Sequence, residues 1–103
     1  MIELDEGHLY DCISKLNSTQ FPEAAVNDFC NKAIDELFEV KAAPQSKRLM
    51  EFADACICVW AGCAKDGWTY EELMVAMAAK TSVNNVRKFE RLENGAYQHR
   101  EDA

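Results

Sequence analysis

The stretch SKRLMEFADACICVWAGCAK, Ser46 to Lys65, decides the fold of this chain. Leu49, Met50, Phe52, Ala53, Ala55, Cys56, Ile57, Val59, Trp60, Ala61 and Ala64 surround almost the whole circumference of a helix, and such a helix must be buried on most of its sides. Ser46 is a suitable N-cap, and Gly67 allows a left-handed turn after about Lys65. At this length, with Asp54 interrupting the apolar run from Phe52 to Ala64, the segment falls short of the roughly 20 apolar residues of a membrane span. It belongs to a protein core, and no membrane contact is expected.

Working outward, Leu9, Cys12, Ile13 and Leu16 follow the i, i+3, i+4, i+7 stripe of a first helix ending near Asn17. A second helix is expected from about Pro22 to about Lys41, with Val26, Phe29, Cys30, Ala33, Leu37 and Val40 on one face and acids on the other. Thr69-Tyr70-Glu71-Glu72 fits a capping box, so a fourth helix starts there, turns Leu73, Met74, Met77 and Ala78 inward and extends towards Phe89. Arg91-Leu92-Glu93-Asn94-Gly95 reads as a turn, and the polar tail that follows is expected to be mobile without a ligand. No segment shows convincing strand alternation. The fold class is therefore all-α, a bundle of about four helices.

Composition narrows the function. With 103 residues, 49% of them hydrophobic, the chain suits a single domain over residues 1–103, with its core at about 22–90 and a tail at about 91–103. A net charge of −7 repels the phosphates of a duplex, so no nucleic-acid partner is expected. The acidic start MIELDEGHLYDC is unlike a signal peptide, which implies a cytoplasmic protein. The five cysteines form no CxxC pair, and their odd number cannot be used up by internal disulfides. They read as reduced, small hydrophobes, and no zinc site is expected.

The chemistry lies in the acids. Glu51 and Asp54 interrupt the apolar third helix at i, i+3 and share a face; Glu36 and Glu39 have the same spacing on the second helix, with Asp35 alongside. Four packed carboxylates would destabilise the bundle unless a divalent cation compensated them, and an all-oxygen set suits magnesium or manganese. Neither His8 nor His99 completes the Glu-x-x-His of a di-iron bundle. The plainer alternative is a solvated acidic stripe, since 18 acids in this chain make such spacings common. Downstream, Lys80, Asn84, Arg87 and Lys88 form one basic edge if the fourth helix continues, an edge suited to phosphate oxygens.

In order and type, these residues resemble the MazG-like family of all-α nucleoside triphosphate pyrophosphohydrolases, whose pattern is E-E-x-x-E, a gap, then E-x-x-D. Here it stands as Asp35-Glu36-Leu37-Phe38-Glu39 and Glu51-Phe52-Ala53-Asp54, with aspartate in place of the first glutamate. Gly67 to Leu73, Lys80, Asn84, Arg87, and Asn94-Gly95 with His99 are similar to the short phage and bacterial members active on purine deoxynucleotides, in which tryptophan usually stands at the place of Phe89. The resemblance covers roughly residues 29 to 99.

It implies a bundle completed by oligomerisation, as a homodimer or homotetramer, and hydrolysis of dGTP or dATP to monophosphate and pyrophosphate in a bacterial cell or a phage-infected host. It further implies Mg2+, with Mn2+ as a substitute, held by Glu36, Glu39, Glu51 and Asp54, which also carry the catalysis. Lys80, Asn84 and Arg87 would bind substrate, with Trp68, Phe89 and Tyr97 as candidates for stacking on the base. Two other readings stay open: a non-enzymatic acidic helical module, such as an inhibitor or DNA mimic, and phosphoribosyl-ATP pyrophosphohydrolase.

Overall fold

A computed structural model describes residues 5–100, which form two units divided after Glu72. The expectations that touch residues 1–4 and 101–103, the acidic start and the end of the tail, lie outside the described residues. The first unit holds three helices, α1 (Glu6–Gln20), α2 (Val26–Ala42) and α3 (Gln45–Lys65), and the first residues of α4 (Tyr70–Val86). The second holds the rest of α4 and a strand pair, β1 (Phe89–Arg91) and β2 (Tyr97–His99).

Local chemistry sets the helix ends. Asp5 caps α1 by accepting the His8 N–H at 2.8 Å. The helix runs past its expected end because Asn17 Nδ2 donates to the Ile13 carbonyl at 2.8 Å, and Ser18 and Thr19 both donate to the Lys15 carbonyl, so these polar side chains bond back into the helix. Pro22 does not open α2 but lies in the preceding turn; the helix begins after Ala25, whose N–H donates to Asp28 Oδ2 at 2.8 Å. Ser46 does not cap α3. Pro44, its φ fixed at −67°, takes the N-cap position and leaves Ser46 in the first turn, while Ala43 before it is extended.

Gly67, at φ 93°, makes the left-handed turn after α3, and a side chain there would be opposed by that backbone angle alone. The capping box of α4 is present in both halves: the Glu72 N–H donates to Thr69 Oγ1 at 3.1 Å and the Thr69 N–H to Glu72 Oε1 at 3.0 Å.

In the first unit α2 packs most extensively on α3, and α1 lies against α3 as well. Ile13, Phe29 and Ala61 are buried together, with Leu9, Ala24 and Trp60 packed around them. Gly62 allows the close approach of α2 and α3, since a Cβ there would stand 3.2 Å from Phe29 Cβ. Tyr10, Trp60 and Tyr70 form a ring cluster with centroids 5.6–5.9 Å apart, and the Tyr10 hydroxyl donates to the Trp68 carbonyl at 2.9 Å. Burial, followed by the neighbouring Cys63, pushes the Tyr10 phenol far above its ordinary range.

Several core expectations are corrected. Only Ala55, Ala61 and Gly62 of α3 are buried, whereas Leu49 is 77% exposed and Met50 71%, because α1 and α2 cover only part of its circumference. Cys30, Leu16 and Leu37 are likewise exposed. No residue of α4 is buried: Leu73 and Met74 are half-buried, and Met77 and Ala78 face solvent.

The second unit also contains a strand pair where no strand was expected. β1 and β2 pair antiparallel with Phe89 opposite His99, Glu90 opposite Gln98 and Arg91 opposite Tyr97. Asn94-Gly95 makes the expected turn, with Gly95 at φ 90°, Asn94 Oδ1 accepting the Ala96 N–H at 3.0 Å and the Leu92 N–H donating to the Ala96 carbonyl at 2.7 Å. The turn brings the flanking residues into pairing, although three-residue strands are too short to show a period of two. None of the described helices is long and apolar enough to cross a membrane.

Candidate metal centre

The tight α2–α3 pair sets the carboxylates in register. Glu36, Glu51 and Asp54 each place an oxygen within 4.8 Å of the other two. Glu36 is buried, Glu51 half-buried and Asp54 exposed, so the group runs from the helix interface outward. Glu51 Oε2 is buried with no hydrogen-bond partner, a costly condition for a carboxylate oxygen that a cation would relieve.

Glu39, one turn after Glu36 and exposed, is not among these three but is tied to them. Repulsion from Glu36, followed by a hydrogen bond with Glu51, raises its carboxyl above the ordinary range. Three acids thus converge here, with Glu39 one turn from Glu36. Hard oxygen donors of this kind fit a magnesium- or manganese-class ion, and among the described residues no histidine or cysteine joins the group. Asp35 is exposed beside the group and takes no part in it.

Two neighbours escaped the sequence reading. Lys32 Nζ lies 3.0 Å from Glu36 Oε1, and this partner raises the lysine's own proton affinity. Cys58, one turn beyond Asp54, is pushed up by burial and then by the Glu36 charge. Both were detectable by spacing alone, as the i−4 neighbour of Glu36 and the i+4 neighbour of Asp54.

Cys58 also lines a groove of about 390 Å³ with Val26, Cys30, Ala33, Gly62 and Trp68. The indole of Trp68 is exposed and its Nε1 donates to Asp66 Oδ2 at 2.8 Å, which fixes the ring at the groove. The cations expected to meet phosphate lie in the second unit. Lys80 and Asn84 are exposed one turn apart on α4, but the helix ends at Val86, so Arg87 and Lys88 do not continue that edge. The Arg87 N–H turns back to the Asn84 carbonyl at 3.3 Å. Phe89 packs its ring at 6.3 Å from His99, and Tyr97 is exposed.

The fold is similar to that of a solved structure, the cyanophage S-2L MazG-like pyrophosphohydrolase bound to dGDP and three catalytic Mn2+ ions per active site, with a TM-score of 0.72 and 24% sequence identity over 89% of this chain and 93% of that one. No curated protein matches the sequence. The sequence profile described as dATP/dGTP pyrophosphohydrolase matches residues 9–101, and with the carboxylates of that match gathered at one point, the chain belongs to this family of nucleoside triphosphate pyrophosphohydrolases.

Proposed function

We propose that this enzyme hydrolyses dGTP and dATP to the monophosphate and pyrophosphate, using divalent ions held by Glu36, Glu39, Glu51 and Asp54. The observation that carries the proposal is the convergence of Glu36, Glu51 and Asp54 around a buried, unpartnered Glu51 oxygen. The ions bound by the structurally similar cyanophage enzyme are Mn2+, which supports the same class here, with Mg2+ as the physiological ion. When bound, such ions supply Lewis acidity towards phosphate oxygens and acidify a water molecule.

The remaining work falls to the chain's own side chains. Water attacks the α-phosphorus, the bond to the bridging oxygen breaks, and pyrophosphate leaves, while one of the four carboxylates accepts the proton of the water. Lys80, Asn84 and Arg87 donate to phosphate or sugar oxygens, and the positive charge of the lysine and the arginine favours the departing pyrophosphate. Trp68, held at the edge of the apolar groove, offers a face for the base.

The match over residues 9–101 spans both units and supports one functional domain. The apolar residues left exposed on α3, Leu49, Met50, Phe52 and Val59, support a homodimer or homotetramer. Deoxynucleotide pools place the work in the cytoplasm. The test is release of monophosphate and pyrophosphate from the ribo- and deoxynucleoside triphosphates with Mg2+, Mn2+ or EDTA. Metal-dependent release, fastest with the purine deoxynucleotides, is the expected result; metal-independent release, or none, overturns the reading.

A further inference from the structure

The ion pair between Lys32 and Glu36 sits on the carboxylate group, where Lys32 Nζ lies 3.0 Å from Glu36 Oε1. The two partners differ sharply in environment: the Glu36 side chain is 9% exposed and that of Lys32 60%. A buried carboxylate with a solvated lysine at its mouth is an asymmetric pair. The glutamate is fixed by the helix interface, whereas the lysine rests on a flexible stem whose departure into water costs little. Lys32 is also within electrostatic reach of Glu39 and Cys58, so it faces the group as a whole.

We propose that Lys32 is a tethered counter-ion of the carboxylate centre, a positioning residue that holds the Glu36 side chain oriented until a divalent ion displaces it, and that it then turns towards the substrate's phosphates. The inference rests on the reading of these acids as a divalent-ion site. Its physical basis is competition. The ammonium and the ion require the same Glu36 oxygen, and a positive charge left within a few ångströms weakens the binding of a second one. Once anionic triphosphate is present the sign reverses, because the freed ammonium then has phosphate oxygens to meet. Lys32 should therefore oppose metal binding to the free enzyme and favour nucleotide binding to the metal-loaded enzyme.

The experiment follows Mn2+ binding to the full chain by the electron paramagnetic resonance signal of the free ion, without nucleotide, for wild type, Lys32→Met and Lys32→Arg. The Michaelis constant for dGTP is measured on the same proteins at saturating Mn2+. Lys32→Met is expected to bind Mn2+ about two- to fivefold more tightly than wild type, the range open to a partly solvated charge pair, and to raise KM for dGTP by a similar factor. Lys32→Arg, which keeps the charge, should stay near wild type in both. If Lys32→Met binds Mn2+ equally or more weakly while wild type binds it well, Lys32 is no counter-ion and this proposal alone falls. Tighter Mn2+ binding with an unchanged KM overturns the phosphate-facing half. If wild type itself binds no Mn2+, the carboxylate reading fails and this one with it. Circular dichroism melts of the three proteins separate these outcomes from misfolding.

Discussion

The two units of this chain divide chemistry and charge between them. Up to Glu72 the molecule is acidic, capped and packed: Asp5 and Thr69 cap helices, Ile13, Phe29 and Ala61 are buried, and the paired helices α2 and α3 hold Glu36, Glu51 and Asp54 together. From Leu73 onward it is close to neutral and open. Lys80, Arg87, Lys88, Arg91 and Arg100 slightly outnumber Glu90, Glu93, Glu101 and Asp102, and no residue of α4 is buried. The difference has a physical cause. Carboxylates that share an ion must be held within a few ångströms against their mutual repulsion, which requires a rigid helix interface. Cations that meet a phosphate work from flexible stems in water and need no such enclosure.

If that division is right, the largest effect on activity comes from the packed acids, without loss of fold. Glu51→Gln should lower dGTP hydrolysis by about 100-fold or more, on the scale seen when one strong electrostatic contact to a reacting centre is removed. Its melting temperature without metal should stay level or rise, because a charge has left a repulsive cluster. Parallel steady-state kinetics and thermal melts check both. A variant that loses activity only because it unfolds would break the comparison.

The next effect concerns stability. Phe29→Ala empties a position packed against Ile13, Ala61 and Gly62 and should cost about 3 kcal/mol in urea unfolding, whereas Met77→Ala on exposed α4 should stay within about 0.5 kcal/mol. A Met77→Ala cost as large as that of Phe29→Ala would mean that α4 is covered in solution. Smaller again is the effect of the solvated cations. Lys80→Ala with Asn84→Ala should lower kcat/KM for dGTP by about tenfold, the scale of one charge-assisted hydrogen bond, with the melting temperature unchanged.

The same contrast governs how far the sequence could be read. The convergence of Glu36, Glu51 and Asp54 was legible because a packed helix converts i, i+3 spacing into a shared face, and the Thr69–Glu72 box because its two hydrogen bonds are local. The four helices were legible for the same reason. What failed needed knowledge of neighbours. Leu49 and Met50 have apolar side chains but nothing in this chain to cover them. Pro44 displaced Ser46 as the start of α3 through a fixed φ, a local effect outweighed in the reading by serine's good record as a cap. The hairpin at Phe89–Arg91 and Tyr97–His99 left only its Asn94-Gly95 turn as a trace, since three-residue strands carry no periodicity. Lys32 does not stand out in the pattern, since an exposed lysine four residues before a glutamate is common on any helix face.

The smallest predicted effect belongs to Tyr70, which starts α4 while still part of the packed unit. Its hydroxyl donates to Glu6 Oε2, and that hydrogen bond, ahead of burial and the Glu6 charge, raises the phenol to about 12. Because the folded value lies above the ordinary one of about 10, the contact contributes its full stability below pH 10 and loses it as pH rises from 10 to 12. Wild type should therefore melt above Tyr70→Phe at pH 8, and the gap should close as the pH passes through 10 to 12, with ionised Tyr70 then repelling Glu6. Melts of the two proteins at pH 8, 9, 10 and 11 measure it. A gap independent of pH would show that Tyr70 contributes through its ring contacts with Tyr10 and Trp60 alone, and that the tie between α1 and the start of α4 is made by packing and not by the proton.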